Sequence, residues 1–246
     1  TMAIERQPLY EQVEHAIEEG IRTEEWPAGS VLPSETALAE RFGVSVCTVR
    51  KALDALAQKN HVEKRHGIGT FVTSYSSRGY WNRFQRYQML DGTLPRWSDR
   101  IVTCERRRPS ERVLKALGLT GLSKALPEDG LLWRLERRMA LNGRPMGTDV
   151  VWFHPEHFGK LCSDAFEHRP EGSLYAFFER AFGVVVTDVK DTIEVRIVTA
   201  EDARRYDLPV DQPLLELRRI GYTFGRRPVE YRIEHVLPEG LRIVLE

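Results

Sequence analysis

Apolar residues recur at helical spacing in two stretches near the start of the chain. The first stripe predicts a helix that begins near Pro8, where a proline is tolerated, and ends near Trp26–Gly29. A second helix begins at Ser34, whose hydroxyl can cap the first turn, and Gly43 ends it. The apolar positions are Leu9, Val13, Ala16, Ile17 and Ile21 in the first helix and Leu38, Ala39 and Phe42 in the second.

A third helix follows after a very short turn, with Ser45 as its cap. Its apolar residues fall at positions i, i+3, i+4 and i+7, and at about 100° per residue the polar side chains point away from them. Arg50 lies on the shoulder of this stripe. Two helices joined so tightly, with a polar and cationic outer face on the second, are typical of a helix-turn-helix. The stripe is Val49, Ala52, Leu53 and Leu56, and the opposite face is Cys47, Lys51, Asp54 and Gln58.

A short β-hairpin is predicted directly after the third helix. The segments His61–Arg65 and Thr70–Thr73 can pair across His66–Gly69, which contains two glycines. Glycine allows the backbone to approach a partner closely, and Lys64 and Arg65 bring positive charge to the tip. Such a hairpin is suited to a DNA groove and its flanking phosphates.

The pattern changes to strands beyond residue 78. Alternating or β-rich segments at Leu131–Arg137 and Leu214–Tyr222 predict strands, and Asn142-Gly143 is a strong hairpin-turn signal. Gly225 precedes a similar return into Val229–Ile233. Between the two halves, residues 73–79 are small and polar, which indicates a linker.

Composition narrows the class of protein without deciding its partner. The chain has 246 residues, of which 41% are hydrophobic and 29% charged, so it is globular rather than disordered. Three cysteines lie far apart and form no CxxC, which fits a reducing, cytoplasmic setting. Net charge is zero, but residues 1–40 hold two basic and nine acidic side chains, whereas residues 41–112 hold 15 basic and six acidic ones. A local basic region, rather than bulk charge, therefore supports contact with phosphates.

The N-terminal half resembles the GntR family of bacterial transcription regulators. The similarity spans residues 8–73 and implies a winged helix-turn-helix whose third helix enters the DNA major groove. Family members commonly carry a basic residue at position 36 and arginine at position 46, where this chain has Thr36 and Val46. The matching residues are Pro8-Leu-Tyr10, Leu32-Pro-Ser-Glu35, Leu38-Ala39, Phe42-Gly-Val-Ser45, Thr48-Val-Arg50, Ala52-Leu53, Leu56 and Gly67-Ile-Gly-Thr-Phe-Val72.

The resemblance implies a set of DNA-contacting positions. They belong to the start of the second helix, the outer face of the third helix and the hairpin, which the family places at the minor groove. The predicted residues are Ser34, Glu35, Thr36, Ser45, Val46, Cys47, Thr48, Arg50, Lys51, Arg65, His66, Gly67 and Gly69.

The C-terminal half is similar to the UTRA effector domain of the HutC-like branch of the same family. The implied fold is α+β: a winged helix-turn-helix followed by a chorismate-lyase-like mixed α/β domain with a mainly antiparallel sheet. We expect the DNA-binding domain at residues 1–74, a linker at 75–82 and the effector-binding and dimerisation domain at 83–246. The matching pieces include Leu117-Gly-Leu119, Leu135-Glu-Arg137, Asn142-Gly-Arg-Pro145, Ser173-Leu-Tyr175, Phe182-Gly183, Pro213-Leu-Leu215 and Arg227-Pro-Val-Glu230.

The same resemblance implies a ligand pocket in the C-terminal domain. A guanidinium with nearby hydroxyls suits a phosphate or carboxylate, so an organic acid or a phosphorylated metabolite is expected. The sugar-phosphate pattern has a second arginine where this chain has Met139, which weakens the phosphate interpretation. The predicted effector-binding residues are Arg137, Asp149, Ser173, Tyr175 and Glu230.

Two other classes of function remain open on the sequence. A metal or thiol sensor could use Cys47, at an exposed helix start, or a group comprising His154, His157, Cys162 and His168, although the spacing of that group matches no metal motif. An enzyme of chorismate-lyase-like fold is the less favoured alternative, because no nucleophile, HExxH, P-loop or dinucleotide motif is present.

The sequence therefore predicts a transcription regulator rather than an enzyme. We expect a homodimeric repressor in the cytoplasm that binds double-stranded operator DNA and responds to a small-molecule effector. No cofactor, metal ion or membrane partner is expected. Twofold symmetry is favoured because paired half-sites supply affinity that one small reading head lacks.

Overall fold

The computed structural model describes residues 7–74, 84–121, 126–166, 169, 173–206 and 208–245. The chain divides into two compact units. The first contains the described residues up to Ser74 with two short segments, Val185–Asp188 and Thr223–Arg227, and the second contains the rest. The expected linker, residues 75–82, lies outside the described residues.

Three helices form the centre of the first unit: α1 (Leu9–Arg22), α2 (Glu35–Phe42) and α3 (Val46–Gln58). Each turns most of its apolar stripe inward, as the spacing of the stripe predicts, but Leu9 at the start of α1 is 59% exposed and Phe42 at the end of α2 is half-buried. The core contains Val13, Ile17, Ile21, Leu38, Val49, Ala52, Leu53 and Leu56.

The first helix is shorter than the sequence analysis predicts. It ends at Arg22, not near Trp26–Gly29, because Glu24 takes a left-handed backbone conformation that an α-helix cannot continue. The chain then folds back so that the Trp26 ring packs on Gly20. A Cβ built on that glycine would lie 2.4 Å from the ring, so the return requires glycine there.

The junction between α2 and α3 confirms the predicted caps. The Ser34 hydroxyl accepts a hydrogen bond from the Ala37 amide at 3.2 Å, and the Ser45 hydroxyl accepts one from the Thr48 amide at 3.1 Å. Gly43 takes a left-handed conformation (φ 64°) at the end of α2, which turns the chain sharply into α3.

The predicted hairpin is present, with slightly different bounds. Strands β1 (Val62–Arg65) and β2 (Gly69–Val72) pair antiparallel, so Gly69 belongs to β2 rather than to the turn. Gly69 pairs in register with Arg65 of β1. Residues 29–32 run along the other side of β2, where the Leu32 amide donates to the Thr70 carbonyl at 2.8 Å and the Val72 amide donates to the Ser30 carbonyl at 2.9 Å. The hairpin is therefore held on both sides.

A six-stranded, mostly antiparallel sheet dominates the second unit, in the order β4-β5-β6-β9-β8-β7. This α+β architecture confirms the predicted fold class. Its strands are β4 (Trp97–Arg107), β5 (Leu132–Leu141), β6 (Arg144–Phe153), β7 (Asp188–Ile197), β8 (Pro213–Thr223) and β9 (Arg227–Val236), and a separate pair is β3 (Tyr87–Met89) with β10 (Leu241–Ile243). Its helices are α4 (Glu111–Ala116), α5 (Leu174–Phe182) and α6 (Ala200–Tyr206).

The predicted turns join these strands. Asn142 and Gly143 both have positive φ between β5 and β6, which is the backbone of a tight hairpin. The three-residue turn Phe224–Arg226 joins β8 to β9, at the predicted return. Within the described residues, no helix is long and apolar enough to cross a bilayer.

One buried contact links α1 to the residue that precedes β1. His61 Nδ1 lies 2.9 Å from Glu18 Oε1, and both side chains are largely buried. Burial alone would raise the pKa of Glu18, but hydrogen bonding to His61 and the nearby charges of His61 and Lys59 lower it overall. Ionised Glu18 therefore stabilises the fold.

This contact predicts a pH-dependent loss of stability. A carboxyl whose folded pKa lies below its ordinary 4.5 stabilises above that value and loses the contribution as pH falls through the folded pKa. Glu18→Gln should lower the free energy of unfolding by about 1–2 kcal/mol at pH 7, in the range for a hydrogen bond to a charged group. Urea denaturation at pH 7 and at pH 3 measures this. A variant as stable as the wild type at pH 7 would contradict it, and the difference should shrink at pH 3.

Candidate functional site

The outer face of α3 presents the side chains that the sequence analysis assigned to DNA. Ser45, Cys47, Arg50 and Lys51 are exposed, whereas Val46 and Thr48 are half-buried. The Ser45 hydroxyl lies 2.9 Å from that of Thr48 and also caps the helix, so these two residues stabilise the first turn. Farther along the helix, Asp54 and Gln58 on the same face are also exposed.

An ion pair joins α2 to this face. Arg50 donates to Glu35 through Nη2 at 2.7 Å and through Nε at 3.1 Å. Both side chains are partly exposed, so the pair fixes the direction of the guanidinium without burying it. Next to Glu35, the side chains of Ser34 and Thr36 are exposed at the first turn of α2.

The hairpin is tied to the same helix. Lys64 on β1 donates to Asp54 on α3 at 2.6 Å. Arg65 lies over the Phe71 ring at 4.3 Å and within 3.1 Å of Glu63, so its stem is packed and its charge stays near the tip. His66, Gly67 and Gly69 are exposed.

In the second unit, Arg137 and Asp149 are directly opposite on neighbouring strands β5 and β6. Arg137 donates to Asp149 Oδ2 through Nε at 3.0 Å and through Nη2 at a closer distance. Asp149 is completely buried, and Asp99 on β4 lies 3.2 Å from Arg137 Nη1. One guanidinium thus faces two carboxylates away from solvent.

Strand β9 adds a second buried group of charges beside the first. Arg232 lies 3.0 Å from Glu230 Oε2 and 3.5 Å from Glu234 Oε1, and its guanidinium lies over the Tyr175 ring at 5.0 Å. The Tyr175 hydroxyl, on α5, donates to Glu230 Oε1 at 2.6 Å. Burial and the charge of Glu230 raise the pKa of Tyr175, so this hydroxyl keeps its proton.

The two groups meet in the middle of the sheet. Asp149 on β6 pairs in register with Glu234 on β9, and Arg232 Nε lies 3.8 Å from Asp149 Oδ1. Burial and the neighbouring charge of Asp149 raise the pKa of Glu234, against the opposing effect of Arg232, Arg219 and Arg137. Two carboxylates share this space, and one of them holds its proton more tightly than usual.

Four of the five predicted effector residues therefore lie together: Arg137, Asp149, Tyr175 and Glu230. The fifth, Ser173, accepts a hydrogen bond from the Tyr175 amide at 3.2 Å and caps α5. That bond orients the helix carrying Tyr175, so Ser173 acts on the cluster through the backbone.

Asp99, Arg232 and Glu234 are functional candidates that the sequence alone does not predict. A signal for two of them is present in β9, where charged residues alternate at 230, 232 and 234 in a strand that is otherwise largely apolar. Charges at a period of two in a buried strand indicate a paired cluster on one face.

The histidine group is only partly assembled. His154 and His157 lie with Glu156 in one turn after β6, their potential ligand atoms within 4.8 Å of one another. Cys162 is exposed and not part of this set, and His168 lies outside the described residues. His154 Nδ1 accepts a hydrogen bond from the Glu156 amide at 3.3 Å, a local contact that explains the turn without a metal ion.

Two family models match the chain, one in each half, and together they establish its family. Residues 9–72 match the model of bacterial regulatory proteins of the gntR family, and residues 96–239 match that of the UTRA domain. The chain belongs to the GntR family of DNA-binding transcription regulators and carries a UTRA domain.

Relatives share this arrangement over most of their length. The chain is 29% identical over 224 residues to the mannosyl-D-glycerate transport/metabolism system repressor MngR of Escherichia coli, covering 91% of this chain and 89% of that protein. It is 27% identical over 202 residues to the HTH-type transcriptional regulator TreR of Bacillus subtilis, covering 81% and 79%. The ligand-binding domain of a chain assigned to the GntR family, from Bordetella bronchiseptica, matches 67% of this chain and 97% of its own at 26% identity and a TM-score of 0.58.

The Arg137–Asp149 pair predicts a large stability effect. Asp149→Asn removes the buried negative charge opposite Arg137, which should cost about 3 kcal/mol, at the lower end for a broken buried ion pair because Asp99 still faces Arg137. Chemical denaturation measures this. Arg144→Ala, which breaks an exposed pair with Glu239, is the control and should change stability little. Equal effects of the two substitutions would contradict the burial argument.

Proposed function

We propose that the protein is a repressor that binds operator DNA as a homodimer and releases or retains it according to a small molecule bound in the UTRA domain. The observation that carries the proposal is an exposed polar and cationic face on α3, tied to a glycine-tipped hairpin in the same unit. The DNA-binding domain would comprise residues 1–74, the linker 75–82 and the effector and dimerisation domain 83–246. We assign no catalytic role, in keeping with relatives named as transcriptional regulators.

DNA recognition rests on the way the first unit holds its polar groups. An α-helix fits the major groove, and α3 offers the groove hydroxyl and guanidinium groups on one face. Glu35 orients Arg50 toward a base edge or phosphate, and the Lys64–Asp54 contact sets the hairpin beside the helix. The remaining predicted contacts lie on the same elements: Ser34, Thr36, Ser45, Val46, Cys47, Thr48, Lys51, Arg65, His66, Gly67 and Gly69.

The effector site is proposed at the buried cluster of Arg137, Asp149, Tyr175 and Glu230, with Arg232 and Glu234. An organic acid or phosphorylated metabolite would bind here by replacing a carboxylate partner of an arginine, since Arg137 and Arg232 both already hold carboxylates. Exchange of one anion for another keeps the buried charge paired. It also frees a carboxylate that must move, which couples occupancy to the conformation of β9 and α5.

Dimerisation is proposed through the UTRA domain. Strand β7 lies at the edge of the sheet, and two of its apolar side chains, Val195 and Ile197, are 70% and 54% exposed. An open edge strand with apolar side chains favours pairing with a second copy. A metal-responsive role is the second candidate, supported by the His154–Glu156–His157 group alone.

Arg50→Ala tests the DNA-contacting face. Loss of a guanidinium that reaches a base or phosphate should weaken DNA binding by about tenfold or more, with unchanged melting temperature because the pair with Glu35 is exposed. Fluorescence anisotropy measures binding to a duplex that the wild-type protein selects from a random-sequence pool. Arg204→Ala, an exposed arginine on α6, is the matched control and should bind like the wild type. Unaltered affinity in the Arg50 variant would remove Arg50 from the interface.

Tyr175→Phe tests the effector site. A thermal-shift screen of the wild type against phosphorylated sugars and carboxylates should give at least one stabilising compound that also changes DNA affinity. The variant lacks the hydroxyl that holds Glu230, so it should lose most of that shift. Tyr10→Phe, in the first unit, is the control and should keep it. A shift that survives in the Tyr175 variant would place the ligand elsewhere.

A further inference from the structure

Ile68 is the most exposed large apolar side chain among the described residues, with 71% of its surface accessible. It occupies the last position of the three-residue loop His66–Ile68 between β1 and β2. The resemblance to the family marks its neighbours as contacts and passes over this residue. A single exposed apolar residue needs no explanation by itself, so its setting decides what it can do.

The loop holds Ile68 in a defined position. The Ile68 amide donates to the Arg65 carbonyl at 3.0 Å and closes a turn, and Arg65 pairs with Gly69 directly behind it. Behind the loop, β2 is hydrogen-bonded on both sides, and β1 is tied to α3 by the contact of Lys64 with Asp54. Ile68 therefore projects from a braced tip.

The flanking residues make this tip narrow. Gly67 and Gly69 both have positive φ, and a Cβ added to Gly67 would meet no atom within 4 Å. The glycine at 67 is needed for its backbone conformation, and the two glycines leave Ile68 as an isolated side chain between them. The cationic side chains of Arg65 and Lys64 lie close by, paired with Glu63 and Asp54 respectively. His66 is exposed.

This shape and chemistry fit one groove of duplex DNA. With α3 filling a major groove about 12 Å wide, a hairpin fixed beside it reaches across the phosphates to the minor groove, about 6 Å wide. Cationic groups meet the phosphates, and a lone aliphatic side chain can press between base pairs or against the sugar walls. Moving the Ile68 side chain from water into such a contact is favourable, because apolar surface is removed from water.

We propose that Ile68 is an apolar wedge that enters the operator minor groove and unstacks a base step. The proposal rests on the DNA-binding function proposed above. Because pyrimidine–purine steps deform most easily, the wedge favours such a step at a position that α3 does not read. Ile68 thereby contributes affinity that does not depend on salt, and sequence preference that does not depend on hydrogen bonds.

The test compares Ile68→Ala and Ile68→Ser with Ile68→Met, which keeps an apolar side chain. The probe is a duplex that the wild-type protein selects from a random-sequence pool, with 2-aminopurine placed at successive positions to report unstacking. Val210→Ala, a half-exposed apolar residue of the second unit, is the control. Melting temperatures of all variants establish that the substitutions leave the fold intact.

We expect Ile68→Ala and Ile68→Ser to weaken binding by about tenfold or more, since roughly three buried methylene groups are lost. The slope of log affinity against log salt should not change, because no phosphate contact is removed. The 2-aminopurine signal at one step should rise with the wild type and Ile68→Met and stay flat with the other two. Val210→Ala should match the wild type.

Two failures have different meanings. Affinities within twofold of the wild type in the alanine and serine variants, or a flat 2-aminopurine signal with the wild type, overturn the role of Ile68 while leaving DNA binding in place. A wild-type protein that selects no duplex, at any salt concentration, overturns the proposed function and this inference together.

Discussion

The second unit depends on the pairing of buried charge. Its sheet carries Arg137 and Asp149 on adjacent strands and Glu230, Arg232 and Glu234 along a third, all away from solvent. A charge placed there without a partner would cost several kcal/mol, roughly half the stability of an ordinary domain. Each arginine must therefore hold carboxylates whenever no other anion is present. The same requirement makes the cluster a sensor in our proposal, because an incoming anion can enter only by exchange.

The sequence predicts correctly those structural elements that are determined by residues close together in the chain. The caps at Ser34 and Ser45, the left-handed Gly43 and the Asn142-Gly143 turn each depend on residues within one turn of chain. The end of α1 does not depend on such local residues. It is set by Trp26 folding back onto Gly20, a tertiary contact that the periodicity of the sequence does not show. The start of β2 is not predicted either, because Gly69 pairs with Arg65 and extends the strand by one residue into the expected turn.

The candidate effector site shows which contacts cannot be predicted from the sequence. A regular hairpin about Asn142-Gly143 would place Thr148 opposite Arg137, since Leu141 pairs with Arg144 and Ala140 with Pro145. A register shift between Met139 and Ala140 places Asp149 there instead. That one-residue shift creates the ion pair. The family resemblance supplies both residues but not the bulge, so it cannot show that they neutralise each other, nor that Arg232 and Glu234 complete the cluster.

The first unit shows how a chain without net charge can present a cationic surface. Four of its acidic residues lie in α1, where Glu14 contacts Lys59 and Glu18 contacts His61 and lies within 4.0 Å of Lys59. These carboxylates are satisfied inside the unit, against the C-terminal end of α3 and the start of β1. Arg50 and Lys51 lie on the outer face of the same helix, where their charges act over about 8 Å at physiological salt. The outer side also carries Glu35 and Asp54, but each is paired with a cation there. The inward placement of Glu14 and Glu18, rather than an excess of positive charge in the chain, is what leaves this surface able to meet the phosphates of duplex DNA.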